Sequence, residues 1–234
     1  MHSTQKAKKV AIFDIDGTVF RSSLLIEVVN MLIERKVFPA AAQEIFDEEH
    51  KLWLDRKGGY EDYIITVVHA FQKYLKGVHY SDFMDAVDEV LARHNDQVYK
   101  YTRDLLKDLK KDGYYLLAIS QSPLSILSKF GAHMGFDKVY GRIYETGPES
   151  RFTGKVIDEH LIMNKANIVH RAVEKEGLTL KESIGVGDTE DDISFLDMVE
   201  NPICFNPNAA LYRYARIKKW KVVVERKNVI YNIA

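Results

Sequence analysis

The chain has 234 residues, 46% hydrophobic and 29% charged, an ordinary globular balance with enough length to bury roughly 70% of the unfolded surface. Its 33 Lys and Arg offset 34 Asp and Glu, which excludes a global charge drive toward nucleic acid or a membrane surface. A single cysteine, Cys204, excludes an internal disulfide framework and suits a reducing compartment.

The start, "MHSTQKAKK", is basic but lacks the apolar centre of a signal peptide. No apolar run reaches membrane-spanning length, so a cytoplasmic setting is the expectation. The stretch 9–15 then reads as a first strand that ends in "DIDGT". Asp14 and Asp16 alternate with Phe13 and Ile15, so in extended chain both carboxylates can point the same way. Two like charges that close need a cation between them or a shared proton; an Asp-Gly turn is the plainer alternative.

From 22 to about 96 the texture is helical. Leu24, Leu25, Val28, Val29, Leu32 and Ile33 recur at helical spacing, and Pro39 and Gly58-Gly59 mark breaks. Ser81 is the expected N-cap of the last helix in this block. Three or four helices are predicted, with no strand. Arg56, Lys57, Tyr60 and Tyr63 gather beside Gly58-Gly59, as a substrate-facing group or a solvated junction.

Beyond residue 97 helices and strands alternate. A helix closed by Gly113 leads to the strand "YYLLAIS", and Ser122 with Pro123 predicts the next helix start. A short strand and a Gly- and Pro-rich hairpin cover 138–157. The helix "NKANIVHRAVEKEG", the strand "SIGVGD", the helix "TEDDISFLDMVE", the strand "PICFN", a basic aromatic helix and "KVVVE" complete the chain. The basic tail could suggest RNA, but a helix and strand with solvated lysines explain it. Repeated strand–helix units predict an α/β fold, a Rossmann-like, mainly parallel sheet with helices on both faces. The core is expected over 1–20 and 97–234, with 21–96 an inserted helical cap above the carboxyl edge of the sheet, where ligands bind.

Polar groups recur at that edge. Ser120 ends one strand and Asp188 another, with Asp191 and Asp192 just beyond, and Lys165 opens a helix running toward them. Asp14, Asp16 and Asp188 offer hard oxygen ligands suited to Mg²⁺. Ser120 and Lys165 suit the oxygens of a phosphoryl group, and an Asp carboxylate can serve as nucleophile. Each has a plainer reading: Ser120 satisfying backbone, Lys165 solvated, and Thr189 with Asp192 a capping box. No zinc-type ligand spacing, dinucleotide fingerprint or Walker loop is present.

Taken in order, "DIDGT" at 14–18, Ser120, Lys165 and "GDTEDD" at 187–192 resemble the four signatures of the haloacid dehalogenase superfamily of phosphohydrolases. The resemblance covers nearly the whole chain, and the helical block resembles the cap of the phosphoserine-phosphatase-like branch. It implies Asp14 as nucleophile and Asp16 as general acid, then base. It implies a metal held by Asp14, the Asp16 backbone carbonyl and Asp188, with Asp191 and Asp192 orienting the ion. Ser120 and Lys165 would hold the phosphoryl oxygens. The implied activity is Mg²⁺-dependent hydrolysis of a small phosphorylated metabolite, with a phosphotransferase or a non-catalytic phosphate-binding protein as alternatives. Two departures bear on the substrate. Ser22 and Ser23 stand near where phosphoserine phosphatases carry a glutamate, with Glu27 the nearest acid. Ser120-Gln121-Ser122 stands in place of Ser-Gly-Gly, so Gln121 is expected to reach the substrate.

Overall fold

The computed structural model describes residues 7–233; most of the basic opening segment lies outside them. The first strand is β1 (Lys8–Phe13), and its Val10–Phe13 stretch is wholly buried. Five helices follow: α1 (Leu24–Glu34), α2 (Ala41–Glu44), α3 (Asp47–Leu54), α4 (Tyr60–Leu75) and α5 (Tyr80–His94). The chain then alternates through α6 (Lys100–Lys111), β2 (Tyr115–Pro123), α7 (Leu124–Met134), β3 (Lys138–Thr146) and β4 (Phe152–Ile157). Next come α8 (Glu159–Ile162), α9 (Lys165–Glu176), β5 (Leu178–Gly187), α10 (Ile193–Leu196), β6 (Asn201–Phe205), α11 (Ala209–Lys218), β7 (Lys221–Arg226) and β8 (Val229–Ile233).

The strands form one eight-stranded sheet in the order β4-β3-β2-β1-β5-β6-β7-β8. The six inner strands are parallel, and β4 and β8 close the edges antiparallel. Continuous apolar runs suit this arrangement, because a parallel strand is covered on both faces. Along β1, Ala11 and Phe13 enter one core, with α1, α4, α5, α6 and α7. Val10 and Ile12 enter the other, with α9, α10 and α11. The period of two in side-chain direction divides one buried run between two layers.

The helical insert leaves and returns at paired positions. Phe20 bridges Val98, Arg21 N–H donates to Gln97 O at 2.8 Å, and Tyr99 N–H to Val19 O at 3.0 Å. It shares the first core with the sheet and leans on the β3–β4 hairpin through Phe71 on Tyr144 and Phe83 on Phe152, each pair 5.2 Å apart edge to face.

Several local expectations are corrected. β1 stops at Phe13 because the Ile15 carbonyl accepts from Thr18, Val19 and Phe20, curling the chain into a tight turn. His79, not Ser81, caps α5: its ring Nδ1 accepts the Ser81 N–H. Ser122 is no cap either. β2 runs through it to Pro123, which pairs with Arg142. The 138–157 region is one hairpin with a nine-residue first arm, β3. "TEDDISFLDMVE" holds a 3₁₀ turn, Glu190–Asp192, and the four-residue α10 rather than one helix. The last strand, β8, had no counterpart in the sequence reading. No helix among the described residues is long and apolar enough to cross a membrane.

Candidate active site

Asp14 follows β1 directly, its N–H still held by Val186 O of β5 at 2.9 Å. The strand therefore aims a carboxylate past the sheet edge. Lys165 is set by the cap of α9: Asn164 Oδ1 accepts from Ala166 N, which leaves Lys165 in the first turn with its stem buried. Its Nζ donates to Asp14 Oδ1 at 2.6 Å and to Asp192 Oδ1 at 2.5 Å. The solvated reading of Lys165 is overturned.

Asp192 does two jobs at once. Its Oδ2 accepts from Asp188 N at 2.9 Å and from Thr189 N at 3.2 Å, forming the capping box, while its Oδ1 anchors Lys165. The capping-box reading of Asp192 holds, and the same side chain also anchors Lys165. Asp188 accepts from Thr18 Oγ1 at 3.1 Å.

One oxygen each from Asp14, Asp188 and Asp192 lie within 4.8 Å of one another. Burial raises Asp14 to about 8, against the opposing pull of Lys165, with Asp192 and Asp16 adding to the rise. Burial, then Asp14 and Asp192, holds Asp188 well above the usual carboxylate range. Burial alone would lower Lys165, but Asp14 and Asp192 outweigh it and raise the lysine. One cation is too few for two buried carboxylates and a half-buried third.

A second cation fits here. Asp14 Oδ2 is buried and has no hydrogen-bond partner, which is costly for a carboxylate oxygen unless an ion or ligand meets it. The donor set is all oxygen, as a small hard divalent ion such as Mg²⁺ prefers. The backbone is cut to make room. Gly17 sits at φ +82°, and a Cβ there would stand 2.2 Å from Asp188 Oδ2; one on Gly187 would stand 2.4 Å from Asp192 Oδ2.

The third carboxylate of this group is Asp192, not Asp16. Asp16 turns its side chain into a separate knot: Oδ1 accepts from Leu24 N at 2.6 Å, and Oδ2 from Ser120 Oγ at 2.5 Å and Ser122 Oγ at 2.9 Å. Ser120 thus spends its hydroxyl on Asp16, while its own Oγ accepts from Ser122 N. Asp192, expected to orient the ion, has one oxygen within 4.8 Å of oxygens of Asp14 and Asp188.

Asp14, Asp16, Gln121, Lys165, Asp188 and Asp191 all face one cavity of about 290 Å³. Its opposite wall comes from the insert, with Tyr60, Glu61, Ile64, Ile65 and Val68 of α4. Tyr60 is 38% exposed as a residue, but desolvation of its phenol, with Asp16 and Asp188 adding, holds that group above its ordinary range, so it remains an O–H donor. Tyr63 stacks on His50 at 4.6 Å and on Trp53 at 5.7 Å. Arg56 and Lys57 are exposed and lie outside the cavity lining, as a solvated junction. Glu27 is also elsewhere, accepting from Ser22 Oγ at 2.8 Å with His94 at 3.8 Å.

Three residues at the site escaped sequence reasoning. Ser122 and Thr18 orient Asp16 and Asp188. Arg142, only 8% exposed, lines the cavity from β3. The one available signal was a cation within the strand "KVYGRIYET", where an inner parallel strand favours apolar residues.

Comparison with known proteins agrees with this geometry. The family model of haloacid dehalogenase-like hydrolases matches residues 11–197. A phosphoserine phosphatase of Mycobacterium tuberculosis is 27% identical over 136 residues, 58% of this chain but only 43% of the relative; the match thus spans less than half of that protein. The histidinol-phosphatase of Neisseria meningitidis is 26% identical over 229 residues, covering 92% of this chain and 98% of the relative. Among solved structures, a phospho-aspartyl intermediate analogue of phosphoserine phosphatase superposes with a TM-score of 0.63 at 21% identity, covering 95% of both chains. The fold is therefore that of the phosphoserine-phosphatase-like branch, and the chain belongs to the haloacid dehalogenase-like hydrolase family.

Proposed function

We propose that the protein is a Mg²⁺-dependent phosphomonoester hydrolase that acts on a small phosphorylated metabolite through an aspartyl-phosphate on Asp14. The observation that carries this reading is the orphaned Asp14 Oδ2: a buried carboxylate oxygen with no protein partner, beside Lys165 and facing the cavity. Residues 21–96 act as the cap, since α4 forms the wall opposite the carboxylates.

Asp14 and Asp188, with Asp192 beside them, would hold the ion, which when bound supplies positive charge against which an anionic substrate can approach a carboxylate. Asp14 attacks phosphorus, its oxygen forms the new P–O bond, and the bond to the leaving alcohol oxygen breaks. Lys165 neutralises the nucleophile's second oxygen and is anchored against drift by Asp192.

Asp16 shares the cavity and carries the proton. In a protonated form it gives that proton to the leaving oxygen, then accepts one from the water that attacks the aspartyl-phosphate. The Ser120 hydroxyl bonds Asp16 at 2.5 Å from behind the cavity lining and orients it for this role. Gln121 and Asp191, themselves 3.4 Å apart, border the substrate.

The cavity's size suits a small metabolite. Strict phosphoserine specificity is not supported, because Glu27 is tied to Ser22 and lies away from the cavity. Phosphate release from a panel of phosphomonoesters, with Mg²⁺, with EDTA and with Asp14→Asn, tests the reading. Mg²⁺-dependent release that the variant loses supports it. Release that persists in EDTA or in Asp14→Asn rejects it.

A further inference from the structure

Arg142 is a buried cation held by one long ion pair and by neutral partners. Its guanidinium donates to Gln121 Oε1 at 2.8 Å and touches Met163 Sδ at 3.3 Å, both neutral. The one carboxylate in reach, Glu159, stands 3.4 Å away and is itself 53% exposed, against 10% for the arginine side chain. Buried charges are ordinarily paired, and a guanidinium matches a carboxylate with two parallel N–H donors. Arg142 lines the cavity that holds Asp14, alongside the apolar side chains of Leu25, Ile64, Ile65 and Val68.

We infer that Arg142 is a specificity residue that receives a carboxylate at the end of the substrate remote from the phosphoryl group, across an apolar linker. Gln121 is its positioning partner, holding the guanidinium from one side and bonding Asp191 from the other. The substrate class is thus a phosphorylated hydroxy acid, and a substrate with a cationic remote end is disfavoured. This inference rests on the phosphohydrolase reading above.

The test uses matched pairs that differ only in the carboxylate. The hydrolysis pair is 3-(phosphonooxy)propanoate against propyl phosphate, with Mg²⁺. The binding pair is 3-phosphonopropionate against propylphosphonate, which cannot turn over, measured by calorimetry. In the natural chain the carboxylated member is expected to be favoured about 10- to 100-fold, the range of one charge-assisted contact. Arg142→Met is expected to bring that ratio close to one, and Arg142→Lys to leave an intermediate ratio because the charge remains without the fork.

Gln121→Glu guards against misfolding. It is nearly isosteric, and it places a carboxylate on Arg142, so the ratio is expected to collapse while the arginine stays in place. A natural chain with no preference for the carboxylated member of either pair overturns the inference, as does an Arg142→Met chain that keeps the ratio. Preference in binding with no hydrolysis of any ester would leave Arg142 as an anion receptor and overturn the phosphohydrolase reading instead.

Discussion

The sheet-edge wall of the cavity holds Asp14, Lys165, Asp188 and Asp192 in a net of short contacts, each side chain fixed by at least one partner on another element. The α4 wall across from it presents Tyr60, Ile64, Ile65 and Val68, with Ile65 56% exposed. One wall is charged, buried and tied to the ends of β1 and β5. The other is mainly apolar, with Glu61 its one charge, partly open and built on helix surface. The contrast separates two tasks: reaction chemistry needs fixed charges in a dry place, whereas selection among substrates needs a surface whose shape can change without disturbing those charges.

Breaking the charged wall should have the largest consequences. Asp14→Asn keeps the shape but removes the nucleophile, and steady-state phosphate release is expected to fall by about a thousandfold or more. Lys165→Met leaves Asp14 and Asp192 as buried carboxylates without their shared cation. A loss of about 3–5 kcal/mol is expected, read from urea unfolding.

The charge imbalance predicts a pH dependence. Asp14 is raised to about 8 in the folded protein from an ordinary 3.8, so between those values the native state holds a proton that the unfolded chain releases. Stability of the metal-free protein is therefore expected to be highest below about pH 4 from this group, and to fall as pH rises toward 8. Because an ion binds the deprotonated carboxylates, added Mg²⁺ should raise the melting temperature more at pH 8 than at pH 5. Equal Mg²⁺ shifts at both pH values would count against a carboxylate-held ion.

The apolar wall should respond least. Ile65→Ala removes a half-exposed side chain, so unfolding free energy is expected to change by no more than about 0.5 kcal/mol, while KM shifts by several-fold up to about tenfold. A large fall in kcat from this change would mean that the two walls are not independent.

Much of the charged wall was legible because it is written in local patterns. "DIDGT" and "GDTEDD" each place carboxylates just past a buried apolar run, and the parallel order of the sheet brings such ends together. A parallel sheet with helices on both faces was equally readable from the repeated strand–helix units. What escaped lies in long-range choices of partner. Nothing within "SQSP" tells Ser122 to remain in the strand and bond Asp16 rather than cap α7. Ser81 looked like a cap because hydroxyls usually are, yet the neighbouring His79 ring took that role. Arg142 gave no sign of its role, since its setting depends on Glu159 of α8 and on Gln121 reaching from β2.

β1 lies between β2 and β5 in the sheet, with consequences for the order in which the chain can fold. The contacts that make the site span 151 residues from Asp14 to Lys165 and 170 from Thr18 to Asp188. Contacts so distant carry a high loop-closure cost and form late. During synthesis the first strand must wait, its apolar run uncovered on one edge, until β5 has emerged and docked. No N-terminal piece that stops short of Asp192 can hold the carboxylate cluster, so the site comes into being only once β5 has joined the sheet.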